Sequence, residues 1–393
     1  MSNLRVGLDG RALGNTNRYR GIGHYTARLV EGLVRQGSDL RFVLFSYGKR
    51  GDCELLDRDI LDKLEWREIP TAGSLSLPSL LKEHLVFART IDDAGLDVFH
   101  AIDHNMTPFL RCPSIVTVHD LILLVLRGPY LGPTAWLWMQ AHRRAAGKAS
   151  IVVAVSHNTA RDIQRIWGIP EGRIRVVHEG VSERYHAVSA REEVEGALAR
   201  YGIREPYFLY LGGFDPRKNI HNMLLSFKRF VLRGGDDYRV VICGDAVGFE
   251  DYLDDTLEEL GLKDKVILTG FVDEDYLPAL YSGATAFICV SLYEGFGLPV
   301  LEAMACGTPV LGSRRSSIPE VVGDTGILVD PLRPDEIARG LERLACDRET
   351  NRELSERCRI RARGFIWDKA AQSVIALYRE AAWGGERDQC HNP

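Results

Sequence analysis

The stretch Glu294-Gly295-Phe296-Gly297-Leu298-Pro299-Val300-Leu301-Glu302 decides how the rest of the chain is read. It follows an apolar, β-branched run expected as a strand, Ala286–Val290, and it opens a helix, because Pro299 suits a first turn where its missing N–H costs nothing. The two glycines let the backbone come close to a ligand. The first N–H groups of a helix have no intrahelical acceptors and carry the positive end of its dipole, so the start of this helix is a ready site for a diphosphate. Seven residues separate the carboxylates, which leaves Glu294 in the loop and Glu302 about a turn into the helix. One can reach a sugar and the other nucleoside hydroxyls. Two solvent-facing glutamates beside a tight loop are the plain alternative. The long run Ser291–Ala305, continued by Cys306-Gly307-Thr308-Pro309-Val310, favours function.

On either side of this stretch, short apolar runs alternate with longer helix-period segments, the pattern of parallel sheets wrapped by helices. In the first half the expected strands are Arg5–Asp9, Arg41–Phe45, Asp97–His100, Ser114–Val118, Ile151–Val155 and Arg175–Val177, with helices such as Tyr25–Gln36 and Ser79–Ala94 between them. In the second half they are Tyr207–Leu211, Arg239–Cys243, Val266–Leu268, Ala286–Val290, Pro309–Gly312 and Gly326–Val329. The stretch from about Ser182 to Glu205 breaks the rhythm with a short charged helix, as an interdomain linker would. The fold class expected is therefore α/β, with two Rossmann-like domains, 1–185 and 186–369, facing each other across a cleft. Ligands of such sheets collect at the carboxyl ends of the strands.

Size agrees, since 393 residues, 45% hydrophobic and 26% charged, are more than one small core needs. A net charge of -5 gives no basic excess that would draw the molecule onto nucleic acid. The eight cysteines form no C-x-x-C pair and read as packing residues of a reducing compartment. Met1-Ser2-Asn3-Leu4-Arg5 runs straight into a strand without a signal-peptide pattern, and no apolar run reaches membrane-spanning length. The expectation is a cytoplasmic protein.

A second glycine turn, Gly212-Gly213-Phe214-Asp215-Pro216-Arg217-Lys218-Asn219, comes directly after Tyr207–Leu211. Arg217 and Lys218 stand where a helix dipole disfavours cations, so a bound anion explains them better than solvation does. Two cations there can neutralise a pyrophosphate leaving group, and the chemistry then needs no metal. A third group, Thr117-Val118-His119-Asp120, ends a strand of the first domain. A lone strand-end histidine is commonly structural.

Several features are weaker. Gly21-Ile22-Gly23-His24-Tyr25 has a G-x-G but no third glycine, against a dinucleotide fingerprint. His100 and His104, around Asp103, read first as structural, then as a polar acceptor pocket, and last as zinc ligands. The D-x-D strings Asp57–Asp59 and Asp273–Asp275 are explained by capping and solvation. The segment Leu121–Lys148, with Trp136, Trp138, Arg127, Arg143, Arg144 and Lys148, reads equally as a membrane-facing surface helix and as a core-packing helix.

With these residues in view, the chain resembles, over nearly its whole length, the retaining GT-B glycosyltransferases of family GT4, whose E-x7-E motif is matched by Glu294 and Glu302. The resemblance implies that Glu294 contacts the donor sugar, that Glu302 holds the ribose, and that Gly295, Phe296 and Gly297 supply backbone donors. It pairs Arg217 and Lys218 with the family's cations, although Gly213 stands where some members carry an arginine. It gives His119 a role in hydrogen bonding the donor sugar or its phosphate, and places Gly21 and Gly23 in a loop against acceptor and phosphates. Phe271-Val272 matches a loop whose backbone contacts the nucleobase, with a plain buried turn as the competing view. The segment Trp367–Ala382 resembles a terminal helix, about 370–393, that crosses back to the first domain and whose closure excludes water.

The catalytic set implied is thus His119, Glu294, Lys218 and Arg217, with a nucleotide-sugar co-substrate, no other cofactor and no metal. The stretches Gly21–Tyr25, Thr117–Leu121 and Pro216–Ile220 are most similar to bacterial mannosyl- and rhamnosyl-type transferases of polysaccharide assembly. That implies GDP-mannose as first donor, a UDP-hexose next, a glycan or lipid-linked acceptor, and peripheral contact with the inner membrane face. A dinucleotide-dependent oxidoreductase is disfavoured for want of G-x-G-x-x-G, whereas a catalytically silent nucleotide-sugar-binding protein would carry the same residues.

Overall fold

The computed structural model describes residues 4–19, 21–69, 77–126 and 133–389. They divide into two compact units, Met1–Gly180 with Trp367–Pro393, and Val181–Ile366.

The first unit is built on β1 (Arg5–Asp9), β2 (Arg41–Tyr47), β3 (Glu65–Ile69), β4 (Val98–Ala101), β5 (Ser114–Val118), β6 (Ile151–Ala154) and β7 (Ile174–Val176). They pair in parallel in the order β3-β2-β1-β4-β5-β6-β7. Every residue of β4, β5 and β6 is buried, which is why these strands read as continuous apolar runs. Strand β3 was not expected from the sequence. It is an edge strand, and its Glu-Trp-Arg-Glu-Ile sequence keeps Arg67 and Glu68 exposed, so the apolar signal of a buried strand is missing.

A second difference concerns Gly21 and Gly23. They form the first turns of a helix, Gly21–Gln36, rather than a loop ahead of one starting at Tyr25. Glycine costs about 1 kcal/mol in a helix, but burial of Gly23, Tyr25, Leu29, Val30 and Leu33 outweighs that local preference. Gly32 on this helix lets the terminal helix Trp367–Gln389 pack closely, since a Cβ there would lie 3.0 Å from Ala371 Cβ. Gln36 donates to Asp368 across the same contact at 2.9 Å. The terminal helix is thus part of the first unit.

The second unit holds β8 (Tyr207–Leu211), β9 (Arg239–Cys243), β10 (Val266–Gly270), β11 (Ala286–Cys289), β12 (Val310–Ser313) and β13 (Ile327–Val329), parallel in the order β10-β9-β8-β11-β12-β13. Its core gathers Phe208, Phe227, Phe230, Leu257, Ile288 and Leu341, each worth about 1.5–3 kcal/mol of burial. The unit begins at Val181, not at 186, because the linker packs on it. Val181 bridges Ile366, Arg184 pairs with Glu274 at 2.9 Å, and Val188 N–H donates to Ser282 Oγ at 2.9 Å. In both sheets the chain runs from the centre to one edge and then resumes on the other side. The order therefore reverses between β1 and β4 and between β8 and β11.

Candidate functional site

The reversal between β8 and β11 splays apart the loops that follow them, and most of the expected site residues of the second unit sit there. Gly212, just past β8, has φ 152° and lies against Gly244, just past β9, with φ 145°. A Cβ on Gly244 would come 2.1 Å from the Gly212 carbonyl oxygen, so only glycine fits. The ladder continues beyond the strands, with Gly212 N–H donating to Cys243 O at 3.0 Å and Gly244 N–H to Gly270 O at 2.9 Å. The carboxyl edge of three strands is left as bare backbone. Tyr210 supports it from below, its hydroxyl donating to Gly213 O at 2.6 Å.

Arg217 and Lys218 occupy a short turn, Pro216–Lys218, that ends at Asn219 in the left-handed region with φ 61°. Asn219 is buried and its amide donates to Val290 O at 3.1 Å and to Pro331 O at 2.7 Å, which fixes the turn against the loop after β11. Leu292 N–H donates to Arg217 O at 2.7 Å across the same seam. Glu294 is thereby brought between both cations. Its Oε2 accepts from Arg217 Nη1 at 2.8 Å and its Oε1 from Lys218 Nζ at 2.8 Å, while Asp215 pairs with Arg217 Nε at 2.9 Å. Glu294 is 9% exposed. Burial pushes its carboxyl up, yet Lys218 and Arg217 outweigh burial and hold it down at about 2.

Two serines that sequence reasoning did not single out fix this loop. Ser316 Oγ accepts from Glu294 N–H at 3.0 Å and donates to Glu294 O, while Ser317 Oγ lies 3.0 Å from Glu294 O and 2.8 Å from Phe296 O. Ser316 holds φ 60° to do so. Gly297 has φ 113° and precedes the helix Leu298–Ala305, with Pro299 in its first turn as expected. Four residues into that helix from Leu298, Glu302 Oε2 accepts from Tyr281 OH at 3.0 Å. Tyr281 is itself buried and anchored by Thr308, whose hydroxyl donates to Tyr281 O at 2.7 Å. Val272 is buried next to Phe271, which is 75% exposed at the end of β10.

His119 belongs to the first unit, at the carboxyl end of β5, and so do Gly21 and Gly23. Its Nε2 lies 2.9 Å from Ile102 O and its Nδ1 3.7 Å from Glu179 Oε1, with the Tyr25 ring edge-on at 4.5 Å between centroids. Burial favours the neutral ring, but Glu179, Asp103 and the Ile102 carbonyl together raise its pKa. Glu179 lies far from His119 in sequence, and no local pattern announces it. His100, by contrast, is structural: it is fully buried in β4 with Nδ1 2.8 Å from Tyr378 OH and Nε2 2.9 Å from Thr117 Oγ1.

The Leu121–Lys148 segment contains the helix Pro133–Lys148, whose Met139, Ala145 and Ala146 are buried and whose Trp136 and Leu137 are exposed. The core-packing reading holds for its buried face; Arg127 lies outside the described residues. Among the described residues no helix is long and apolar enough to cross a membrane.

Residues 199–363 match the family model described as "Glycosyl transferases group 1", and residues 19–185 match "Glycosyltransferase Family 4". The chain is 30% identical over 268 residues to the O-antigen chain mannosyltransferase B of Escherichia coli, covering 68% of this chain and 70% of that protein. It is 29% identical over 401 residues to the serotype-specific mannosyltransferase WbdA of Escherichia coli, covering 95% of this chain but 47%, about half, of that longer relative. Among solved structures, Anabaena Alr3699/HepE in complex with UDP and glucose superposes with a TM-score of 0.74 at 18% identity, over 96% of this chain and 100% of that one. At that identity the likeness speaks for the fold, GT-B.

Proposed function

Because this chain belongs to glycosyltransferase family 4, we propose that it is a retaining, metal-independent hexosyltransferase that moves mannose from GDP-mannose to a glycan or lipid-linked acceptor in polysaccharide assembly. Two mannosyltransferases among its relatives, one of them named for the O-antigen chain, support the sugar and the pathway class. A UDP-hexose is the next donor in line.

The observation that carries the reading is the meeting of the half-buried Arg217 and Lys218 with the buried Glu294 at the reversal between β8 and β11. In the reaction the bond between the anomeric carbon and the phosphate oxygen breaks as the acceptor hydroxyl closes on the same face. The proton of that hydroxyl leaves on a phosphate oxygen. Negative charge grows on the diphosphate, and Arg217 and Lys218 are placed to stabilise it. Glu294 meets the sugar, Glu302 holds the ribose, and the backbone of Gly213, Gly295, Phe296, Gly297, Leu298 and Val272 lines the donor. His119 hydrogen bonds the sugar or its phosphate, and the helix starting at Gly21 and Gly23 approaches the acceptor.

Two experiments test this. A thermal-shift panel of nucleotide sugars should give its largest rise with GDP-mannose, because a ligand bound only to the folded state stabilises it. Release of GDP in the presence of a polysaccharide acceptor, with the anomeric configuration of the product read by NMR, should show an α-linked product from the α-linked donor. Binding without GDP release under any acceptor would mark a silent binding protein instead.

We place the enzyme in the cytoplasm, at the inner membrane face, where the exposed Trp136 and Leu137 lie on the same helix as Arg144 and Lys148. Co-sedimentation with anionic vesicles should fall for Trp136→Ser, and equal sedimentation would remove this contact.

A further inference from the structure

Glu179 is a buried carboxylate, 6% exposed, that follows β7 and that neither the motifs nor the family resemblance picks out. A carboxylate in such a place must be paired or lose its charge. Among the described residues, the cation within ion-pair distance of it is the His119 ring, at 3.7 Å. The other ring nitrogen of His119 faces the Ile102 carbonyl at 2.9 Å. A carbonyl oxygen only accepts, so Nε2 carries a proton. The carboxylate is beyond hydrogen-bond distance of Nδ1 but within ion-pair distance, so its charge favours a second proton there and with it the imidazolium.

We propose that Glu179 is a positioning residue that holds His119 as an imidazolium. This rests on the reading of His119 as a group that meets the donor. An imidazolium has no lone pair, and the Nε2–H is already given to the Ile102 carbonyl, so His119 acts on the donor through its positive charge and its Nδ1–H, never as a base. That suits a reaction whose acceptor proton leaves on the diphosphate. The other groups facing the ring are Asp103 beyond β4, which adds to the effect of Glu179, and His100 within β4 and Tyr25 on the helix Gly21–Gln36, both neutral. Burial keeps His100 uncharged, with a pKa down at about 3, and pushes the Tyr25 hydroxyl well up. Thr159 Oγ1 donates to His119 O at 3.2 Å and fixes the backbone without touching the ring.

The test is nitrogen-detected NMR of histidine-labelled full-length protein, with the His119 signal assigned by its loss in His119→Asn. Wild type should show both ring nitrogens protonated at pH 7. Glu179→Gln, which keeps shape but removes charge, should move the midpoint down by about one to three pH units. Turnover should follow: in Glu179→Gln kcat falls up to about tenfold at pH 8 and recovers toward pH 6, with donor KM little changed, and Glu179→Asp restores the wild-type profile in part. A purely structural role would lower activity at every pH alike. A His119 ring with one bare nitrogen at pH 7 in wild type, or the same midpoint in Glu179→Gln, overturns the proposal. Absence of turnover with every nucleotide sugar would instead count against the proposed reaction, and the NMR result would still decide the protonation.

Discussion

Lys218 Nζ lies 2.8 Å from Glu294 Oε1, and Arg217 Nη1 lies 2.8 Å from the other oxygen of the same carboxylate. The two cations proposed for the diphosphate therefore share one carboxylate, and Asp215 pairs with Arg217 as well. A donor must share or replace that carboxylate. Lys218→Ala should leave donor binding measurable but lower kcat on the order of a hundredfold to a thousandfold, the range of losing one donor to a developing oxyanion. An unchanged kcat in a folded variant would remove Lys218 from the chemistry.

Glu294→Gln separates the two duties of that carboxylate. Loss of its proposed contact with the sugar should lower kcat by about a hundredfold or more. Binding of free nucleoside diphosphate should survive, because an uncharged amide no longer competes for Arg217 and Lys218. Calorimetry with the diphosphate checks this without an acceptor, and abolished binding would show that Glu294 holds the nucleotide directly.

If the Arg217 and Lys218 pair does the work of a metal, turnover should persist in EDTA. Activity lost on chelation and restored by manganese or magnesium alone would contradict the metal-independent mechanism.

Gly244→Ala is a steric test of the bare strand edge. Its new methyl would meet the Gly212 carbonyl at 2.1 Å, and the φ of 145° is one that residues with a side chain rarely adopt. The backbone must shift, so the melting temperature should fall and donor affinity should fall with it. A variant with wild-type melting and affinity would mean that the loops after β8 and β9 are not held in this register.

Gly244 also shows where sequence reading stops. Most of the buried strands, the cations after β8, and the turn from Glu294 into the helix were legible, because local patterns of burial and turn chemistry encode them. Gly244, Ser316, Tyr281 and Glu179 were not. Each matters through a contact with a residue distant in sequence, and each taken alone is an ordinary glycine, serine, tyrosine or glutamate. Strand β3 and the early start of the helix at Gly21 failed for a related reason: an exposed edge hides the apolar run, and tertiary burial overrode glycine's reluctance to be helical.

Two buried histidines should make the fold acid-sensitive. His100 and His142 are held neutral mainly by burial, with pKa values of about 3 against an ordinary 6.5. Below pH 6.5 the unfolded chain protonates both while the folded chain does not, so stability falls as pH drops through that window, by up to about 1.4 kcal/mol per pH unit for each histidine. His142 packs edge-on against Trp138 and His104, with centroids 4.8 and 4.9 Å away, and its Nε2 has no partner among the described residues. His142→Phe should fold normally and flatten the decline between pH 6.5 and 4.5 by about one proton's slope, read from urea midpoints. An unchanged slope would mean that His142 is already charged in the fold.

Glu302 should fail differently from Glu294, and Tyr281 makes the difference measurable. Glu302 sits on the helix, not in the loop, and the Tyr281 hydroxyl donates to its Oε2 at 3.0 Å. Tyr281 is fully buried, and burial first and the nearby Glu302 carboxylate second keep its hydroxyl protonated and able only to donate to that carboxylate. One carboxylate oxygen is thereby oriented, which suits the ribose-holding role proposed for Glu302. Glu302→Gln should raise donor KM and weaken diphosphate binding, with kcat reduced far less than in Glu294→Gln. Tyr281→Phe should do the same more weakly, by about tenfold or less in KM, because it removes one hydrogen bond worth about 1.5 kcal/mol or less and leaves the carboxylate in place. A deoxyribose analogue of the diphosphate, lacking the contacted hydroxyl, should bind wild type and Glu302→Gln equally. If Glu302→Gln instead lowered kcat a hundredfold at unchanged KM, Glu302 would belong with the reacting sugar and not with the ribose.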